Sequence, residues 1–329
     1  MATTNISLDQ IEARTIQALT RHGASAKVAA SVAQAVRVAE ANGNLICGLY
    51  YLESYCQQLT TGRVNGTVEP VVTRPKGATV QVNAGFGFAQ PAFDAGLYEA
   101  LVAAEEMGIA ALSIHHSHTC TSMGFFTEQI ARKGMIGIGM TNAPACVAPP
   151  GGSKPVLGTN PISMAVPNSD GGIAFAFDQS TSATAIGKVR VAASKGEQVP
   201  EGWIIDAQGA PTTEPKDMAS LLSAGGYKGY GFGLMAEILA AGLTGSVLSV
   251  EAKPLKTPDG PPHDLGQFYM LIDPSAYGVD LSARINTLAD AIESQPGARL
   301  PGRGKILRDD VDIDADLWAS VLTLAGDPQ

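Results

Sequence analysis

The feature that most constrains this chain is a set of strand-length apolar runs separated by turn residues. Residues 111–168 read ALSIHHSHTCTSMGFFTEQIARKGMIGIGMTNAPACVAPPGGSKPVLGTNPISMAVPN. ALSI, MIGIGMT and ISMAVP have the length and composition of strands, and a helix is expected near 127–133. Such runs, broken by a helix and by glycine–proline turns, belong to a sheet of the α/β class. The same stretch holds three of the five histidines, a cysteine, a row of hydroxyls and a polar GTNP turn. Ligands of α/β sheets gather at strand ends, so this stretch is read as the floor of an active site.

The flanking chain fits that reading. Ser7 and Gln10 form a capping-box pattern for a helix over 8–21, and Ser25 caps a second helix that stops at Gly43. NGNLICGLYYLESYCQQLTTG reads as a turn opening a third helix. From about residue 68 the alternation of VVTRPKGATVQVNA predicts strands. GFGFAQ then leads into a helix near 91–107; it resembles a phosphate-binding glycine loop but lacks the third glycine, and an ordinary strand-to-helix turn serves equally well. IAFAFDQSTSATAIGKV reads as a buried strand ending in polar residues before a further helix. Residues 200–215 read as turns, GGYKGYGFGLMAEILAAGLTGS as a glycine-rich entry to an apolar helix, and 251–264 as a mobile polar loop. QFYMLID is a strand, SARINTLADAIES a helix and LPGRG a second glycine–proline loop.

Composition narrows the function. The chain has 329 residues, enough for a large core and, by length, for two domains. Its net charge of -9 argues against nucleic acid or an anionic membrane as partner. Cys47, Cys56, Cys120 and Cys146 lack CxxC spacing, the N-terminus lacks a signal-peptide pattern, and no apolar run is long enough to span a bilayer. A cytoplasmic protein with reduced thiols is therefore expected.

The segments GMTNAPACVAPPGGSKPVLGTNPISMAVP, FDQSTSATAIGKV, GYKGYGFGLMAEILAAGLTGS, GQFYMLIDP and LPGRG, in this order, resemble the malate/L-lactate dehydrogenase family. That family includes ureidoglycolate, sulfolactate and diketogulonate enzymes and the reductases of cyclic imines. The resemblance implies an α/β fold without a Rossmann domain: a mixed-sheet nicotinamide-binding domain over 76–264, with a helical N-terminal region (1–75) packing with 265–329 as a substrate and dimer domain. It implies a homodimer, a small carboxylate-bearing substrate, and NAD or NADP as cofactor. By resemblance the cofactor residues are Ser117, His118, Thr119, Thr159, Asn160, Pro161, Asp178, Ser180, Ser182, Lys228, Gly302 and Arg303. Glycines and small side chains let backbone amides approach a pyrophosphate, and Lys228 supplies a cation. Asp178 as a turn or cap residue and Lys228 as a solvated charge stay open. Arg303 and Arg190 are candidate partners of a 2′-phosphate, which tilts the reading towards NADP.

The sequence departs from the family where the chemistry is done. Its dehydrogenases usually carry R-G-x-x-S-H-G after the second helix, whose histidine is the acid/base; here the segment is Asn42-Gly43-Asn44-Leu45-Ile46-Cys47-Gly48. A carboxylate-gripping arginine of some members falls on Tyr51, and the histidine of S-N-H-F-G falls on Thr119, with His118 beside it. Cys47, His118 and Thr119 are the catalytic candidates, and Tyr51, Cys47 and Thr159 the substrate contacts. Reducing a ketone creates an alkoxide that needs a proton, and a thiol near its usual ~8.5 is a poor substitute for a histidine near ~6.5. A protonated cyclic imine already carries its proton. A C=N bond beside a carboxylate, as in pyrroline-2-carboxylate or piperideine-2-carboxylate, is therefore ranked ahead of a 2-keto acid. A catalytically silent relative that binds a nucleotide or metabolite is the competing class. His115, His116, His118 and Cys120 lack the geometry of a strand-borne tetrahedral set, so no metal site is expected.

Overall fold

A computed structural model describes residues 2–303 and 308–327; Gly304, the end of the LPGRG loop, lies outside them. Strand β1 (Thr3–Ser7) leads into α1 (Leu8–Arg21). The expected capping box forms, with Gln10 N–H donating to Ser7 Oγ at 3.2 Å. Helix α2 (Ala26–Ala41) starts at Ser25, whose Oγ accepts from Val28 N–H at 3.3 Å. The third helix is interrupted: two short 3-10 turns cover residues 45–51 before α3 (Leu52–Thr61), which Gly62 ends with φ +79°.

The strands that follow are β2 (Val71–Lys76), β3 (Thr79–Asn83), β4 (Ile109–Ser117), β5 (Ile136–Thr141), β6 (Ile162–Pro167) and β7 (Ile173–Gln179). Helix α4 (Ala89–Met107) joins β3 to β4, and α5 (Gly124–Ala131) lies between β4 and β5. After β7 come α6 (Ile186–Lys195), the short strands β8 (Ile204–Ile205), β9 (Pro211–Thr212) and β10 (Ser220–Leu221), and α7 (Tyr227–Glu237). The chain ends with β11 (Leu265–Ile272), α8 (Leu281–Glu293), β12 (Asp310–Asp314) and α9 (Ala315–Ala325).

Seven strands form one mixed sheet in the order β2-β3-β4-β11-β5-β6-β7. β3 and β4 pair in parallel through α4; the other neighbours are antiparallel. The expected grouping of residues 265–329 with the N-terminal helices thus meets a correction. β11 lies in the middle of the sheet, with Tyr269 opposite both Leu112 of β4 and Gly139 of β5. Its run of buried apolar residues suits a central strand. Only the last segment joins the helical region: β12 pairs antiparallel with β1, and Val311, Ile313 and Val321 share a core with α1, α2 and α3. Neither β1 nor β12 carries a strand signal strong enough to be expected, because each acquires its shape from the other.

Two loops differ from expectation for clear reasons. GFGFAQ is not an open phosphate loop: Ala84 N–H and Phe86 N–H donate to the carbonyls of His115 and His116 at 3.0 and 2.7 Å. A Cβ at Gly87 would meet Val68 at 2.6 Å, so packing explains that glycine. The loop at 251–264 is clamped rather than free. The guanidinium of Arg63, buried at 2 % exposure, donates to the carbonyls of Pro254, Thr257 and Pro261.

Gly266 of β11 lies under a π-helical turn at 238–242, and an added Cβ would sit 1.7 Å from the Ala240 carbonyl oxygen. Backbone cannot yield there, so Gly266→Ala is expected to cost about 1–3 kcal/mol through overpacking. Urea unfolding measures this; an unchanged midpoint would contradict the packing described.

Candidate active site

The site is built where β4 ends. One face of the α3 region presents Tyr51, Tyr55 and Gln58 at positions i, i+4 and i+7. The Tyr51 and Tyr55 rings lie 5.7 Å apart, and Tyr55 meets the His118 ring edge-on at 5.5 Å. His118 Nε2 is 2.6 Å from Gln58 Oε1. The amide nitrogen of Gln58 donates to the carbonyls of Leu255 and Thr257, both at 2.7 Å. The amide oxygen must then be an acceptor, which places the proton of His118 on Nε2 and leaves Nδ1 as a lone pair. That Nδ1 is buried without a partner.

His118 stacks on His263, with centroids 3.9 Å apart at 17°. His263 Nδ1 accepts from Thr119 N–H at 3.3 Å. Burial, with Arg63 and the neighbouring ring adding, holds His118 well below the ordinary histidine range. Burial and then Arg63 push His263 down to about 3. Both rings are neutral at physiological pH. The pair is a fixed apolar wall, and neither ring is a stored acid.

Ser122, three residues after Thr119, lines a cleft of about 430 Å³ between the end of β7, the start of α5, residues 42–44 and the 299–303 loop. Asp178 stands at its edge, open to the cleft but crowded by protein on its other sides. Its Oδ2 accepts from Gly124 N–H at 2.9 Å and Ser122 Oγ at 3.0 Å. Crowding raises the Asp178 pKa, while the Gly124 and Met123 amides and the Ser122 hydroxyl act against that rise. Arg299 and Arg303 line the same cleft, and Gly302 (φ +79°) lets their loop lie against β7, where a Cβ would meet Ala176 N at 2.5 Å.

Cys47, half-buried in the first 3-10 turn, lies within the electrostatic reach of Asp178. Burial, with that carboxylate adding, pushes the thiol up to about 12. Burial likewise pushes the Tyr51 hydroxyl up to about 12, with the charge of Arg190 on α6 pulling the other way. A second cleft, of about 320 Å³, contains Ser180, Thr181 and the exposed Lys228, and Phe177 is a wall of both clefts.

The structure thus gathers Asp178, Gly302 and Arg303 in one cleft and Ser180 and Lys228 in the adjoining one, with Cys47 in electrostatic reach of Asp178 and Tyr51 in that of Cys47. It turns other expected contacts inward. Ser117 Oγ donates towards the carbonyls of His118 and Leu265 and accepts from Gln267. Asn160, with φ +34°, is fully buried and donates to Glu237 at 2.7 Å and to the Gly233 carbonyl. Ser182 Oγ donates to the Thr184 carbonyl at 2.7 Å. Thr159 and Pro161 offer carbonyls to Thr181 and Thr141, so the GTNP turn staples β5 to the segment after β7. Thr119 is buried, its amide engaged by His263. Gln58, Arg63, Ser122 and Arg299 escaped sequence reasoning. A polar stripe on an otherwise apolar helix face was the available signal for Gln58; the others depend on distant partners.

Comparisons with known proteins bear on these residues. The sequence profile of the malate/L-lactate dehydrogenase family matches residues 6–319. A (2R)-3-sulfolactate dehydrogenase (NADP(+)) of Chromohalobacter salexigens is 37% identical over 300 residues, covering 90% of this chain and 89% of that protein. A Delta(1)-pyrroline-2-carboxylate reductase of Ancylobacter novellus is 35% identical over 305 residues, covering 90% and 88%. The crystal structure of delta1-piperideine-2-carboxylate reductase from Pseudomonas syringae pv. tomato superimposes with a TM-score of 0.89 at 31% identity, covering 98% of this chain and all of that one.

The neutral histidine pair has a consequence for stability. In the folded protein both pKa values lie below the unfolded value of ~6.5, so the pair has no effect above that pH. As pH falls through it, the unfolded chain takes up protons that the folded chain refuses, and stability is lost towards the folded values. Between pH 7 and 5 the wild type should lose roughly 3–4 kcal/mol more than a His118→Asn, His263→Asn double variant. Urea unfolding at the two pH values measures this, and parallel losses would contradict the neutral assignment.

Proposed function

The chain belongs to the malate/L-lactate dehydrogenase family, and on that premise we propose that it is an NADPH-dependent reductase of a C=N bond beside a carboxylate. Its substrate is a cyclic imino acid of the pyrroline-2-carboxylate or piperideine-2-carboxylate kind. One observation carries this reading: among the described residues, the side chains around the cleft include no ready proton donor. Cys47, where the family's histidine is expected, is a thiol held near 12, and His118 is neutral with its only proton given to Gln58. A ketone reduced there would leave an alkoxide unprotonated, whereas a protonated imine becomes a neutral amine without an acid. Relatives named as pyrroline- and piperideine-2-carboxylate reductases support the choice.

The residues fit a nicotinamide cofactor. Arg303 and Lys228 put cations in two adjoining clefts of an acidic chain, and Ser180 adds a hydroxyl. Bound there, the reduced cofactor supplies a hydride. Arg303 and Lys228 hold its phosphates. The relative named for NADP(+) favours the phosphorylated cofactor. Arg190 lies within electrostatic reach of Tyr51 and Cys146.

The functional unit is a homodimer in this reading. Helix α7 and its extension leave Tyr227, Phe232, Ile238 and Leu243 each more than half exposed, next to Lys228. A second copy covering that face would also close the Lys228 cleft. Among the described residues no helix is long and apolar enough to cross a membrane. The likeness to a sulfolactate dehydrogenase favours a second reading, a 2-hydroxy acid dehydrogenase.

Absorbance of NADPH separates the two. Pyrroline-2-carboxylate and piperideine-2-carboxylate are expected to be reduced, and pyruvate, oxaloacetate and sulfopyruvate not; turnover of keto acids alone would overturn the proposal. Cofactor binding with no turnover of any of these would point to a silent relative. Restoring an imidazole with Cys47→His should raise any residual ketone reduction by roughly tenfold or more, since a positioned acid contributes on that scale. An unchanged ketone rate would count against the missing-acid argument.

A further inference from the structure

The cleft carries charges of both signs. Asp178, Arg299 and Arg303 all line it, and Glu293 lies 3.8 Å from Arg303 Nε. Glu128 of α5 lines it too, and the thiols of Cys47 and Cys120 and the hydroxyl of Tyr269 lie within electrostatic reach of Asp178. None of the ion pairs among the described residues engages Asp178. Its orientation is fixed all the same, because Ser122 Oγ and Gly124 N–H both donate to Oδ2. As a carboxylate it also suits the start of α5, whose dipole favours a negative charge there.

Protonated cyclic imino acids carry a cationic ring nitrogen next to an anionic carboxylate, and the cleft offers side chains of the opposite charge to each. We infer that Asp178 is the counter-ion of the substrate's protonated ring nitrogen and keeps the bound imine in its charged form. The inference rests on the C=N reading given above and assigns Asp178 to the substrate, away from the cofactor's phosphates, which its charge would repel. A carboxylate within contact range favours the protonated state of its partner and so raises that partner's pKa. Only the protonated imine accepts hydride without a separate acid. Asp178 therefore also sets the pH above which the enzyme fails, and it selects a cationic ring over an uncharged one.

Asp178→Asn tests this, because the amide oxygen still accepts from Ser122 and Gly124 and the start of α5 is preserved. For pyrroline-2-carboxylate, kcat/KM should fall roughly 10- to 100-fold, the scale of one charge-assisted hydrogen bond, with most of the loss in KM. The alkaline limb of the pH–rate profile should move about one unit or more to lower pH. A binding measurement is independent of turnover. In calorimetry with NADP+ present, the wild type should prefer proline, whose ring nitrogen is cationic, over tetrahydrofuran-2-carboxylate, and the variant should lose that preference. Unchanged KM and pH profile, or no preference for proline in the wild type, would overturn the inference. A wild type that reduces no imine would sink the C=N reading alone; the proline comparison would still decide whether Asp178 recognises a ring cation.

Discussion

The junction between the helical region and the sheet depends on one buried side chain, Gln58. It reaches from α3 to His118 at the end of β4 with its oxygen, and to the carbonyls of Leu255 and Thr257 with its nitrogen. Three parts of the chain distant in sequence are thereby held at one point. Arg63, a few residues on, grips the same 254–261 loop through three carbonyls. With that loop fixed, His263 lies flat under His118 and accepts the Thr119 amide. Removing either end of such a network leaves polar groups buried without partners, which costs more than the bonds themselves contribute.

This arrangement decides what chemistry is available beside it. Burial keeps the stacked imidazoles neutral and the Cys47 and Tyr51 protons tightly held. Among the described residues the groups that remain able to act are charges: Asp178, Glu128, Arg299 and Arg303 in the cleft and Lys228 in the adjoining one. A site of that kind recognises and orients charged molecules well and donates protons badly. The substrate must then bring its own proton, a requirement that a cyclic iminium meets and a 2-keto acid does not.

Much of the fold was legible in the sequence, because the signals were local. Ser7 and Gln10, Ser25, Gly43 and the apolar runs of β4, β5, β6 and β11 each specify their element without outside help. The place of β11 was not legible: nothing in GQFYMLID tells a strand at the centre of a sheet from one in a separate unit, since that is decided by its partners β4 and β5. The site was readable in part. Asp178, Lys228 and Arg303 stand in clefts, yet Ser117, Asn160 and Ser182 look equally polar in sequence and prove to be bonded inside the fold. Asn160 serves as an anchor between the GTNP turn and α7 through Glu237, a partner 77 residues away. Small polar residues beside glycines do not reveal whether their hydroxyls face a ligand or a carbonyl of their own chain.

The central claim is that hydride reaches a carbon whose neighbouring nitrogen is already protonated, so no side chain hands over a proton in that step. Single-turnover reduction of pyrroline-2-carboxylate in H2O and D2O, on the pH-independent plateau, tests this most directly. The account predicts equal rates in the two solvents alongside a clear slowing when the transferred hydride is replaced by deuteride. A large solvent isotope effect on the same step would show a protein acid at work and contradict it.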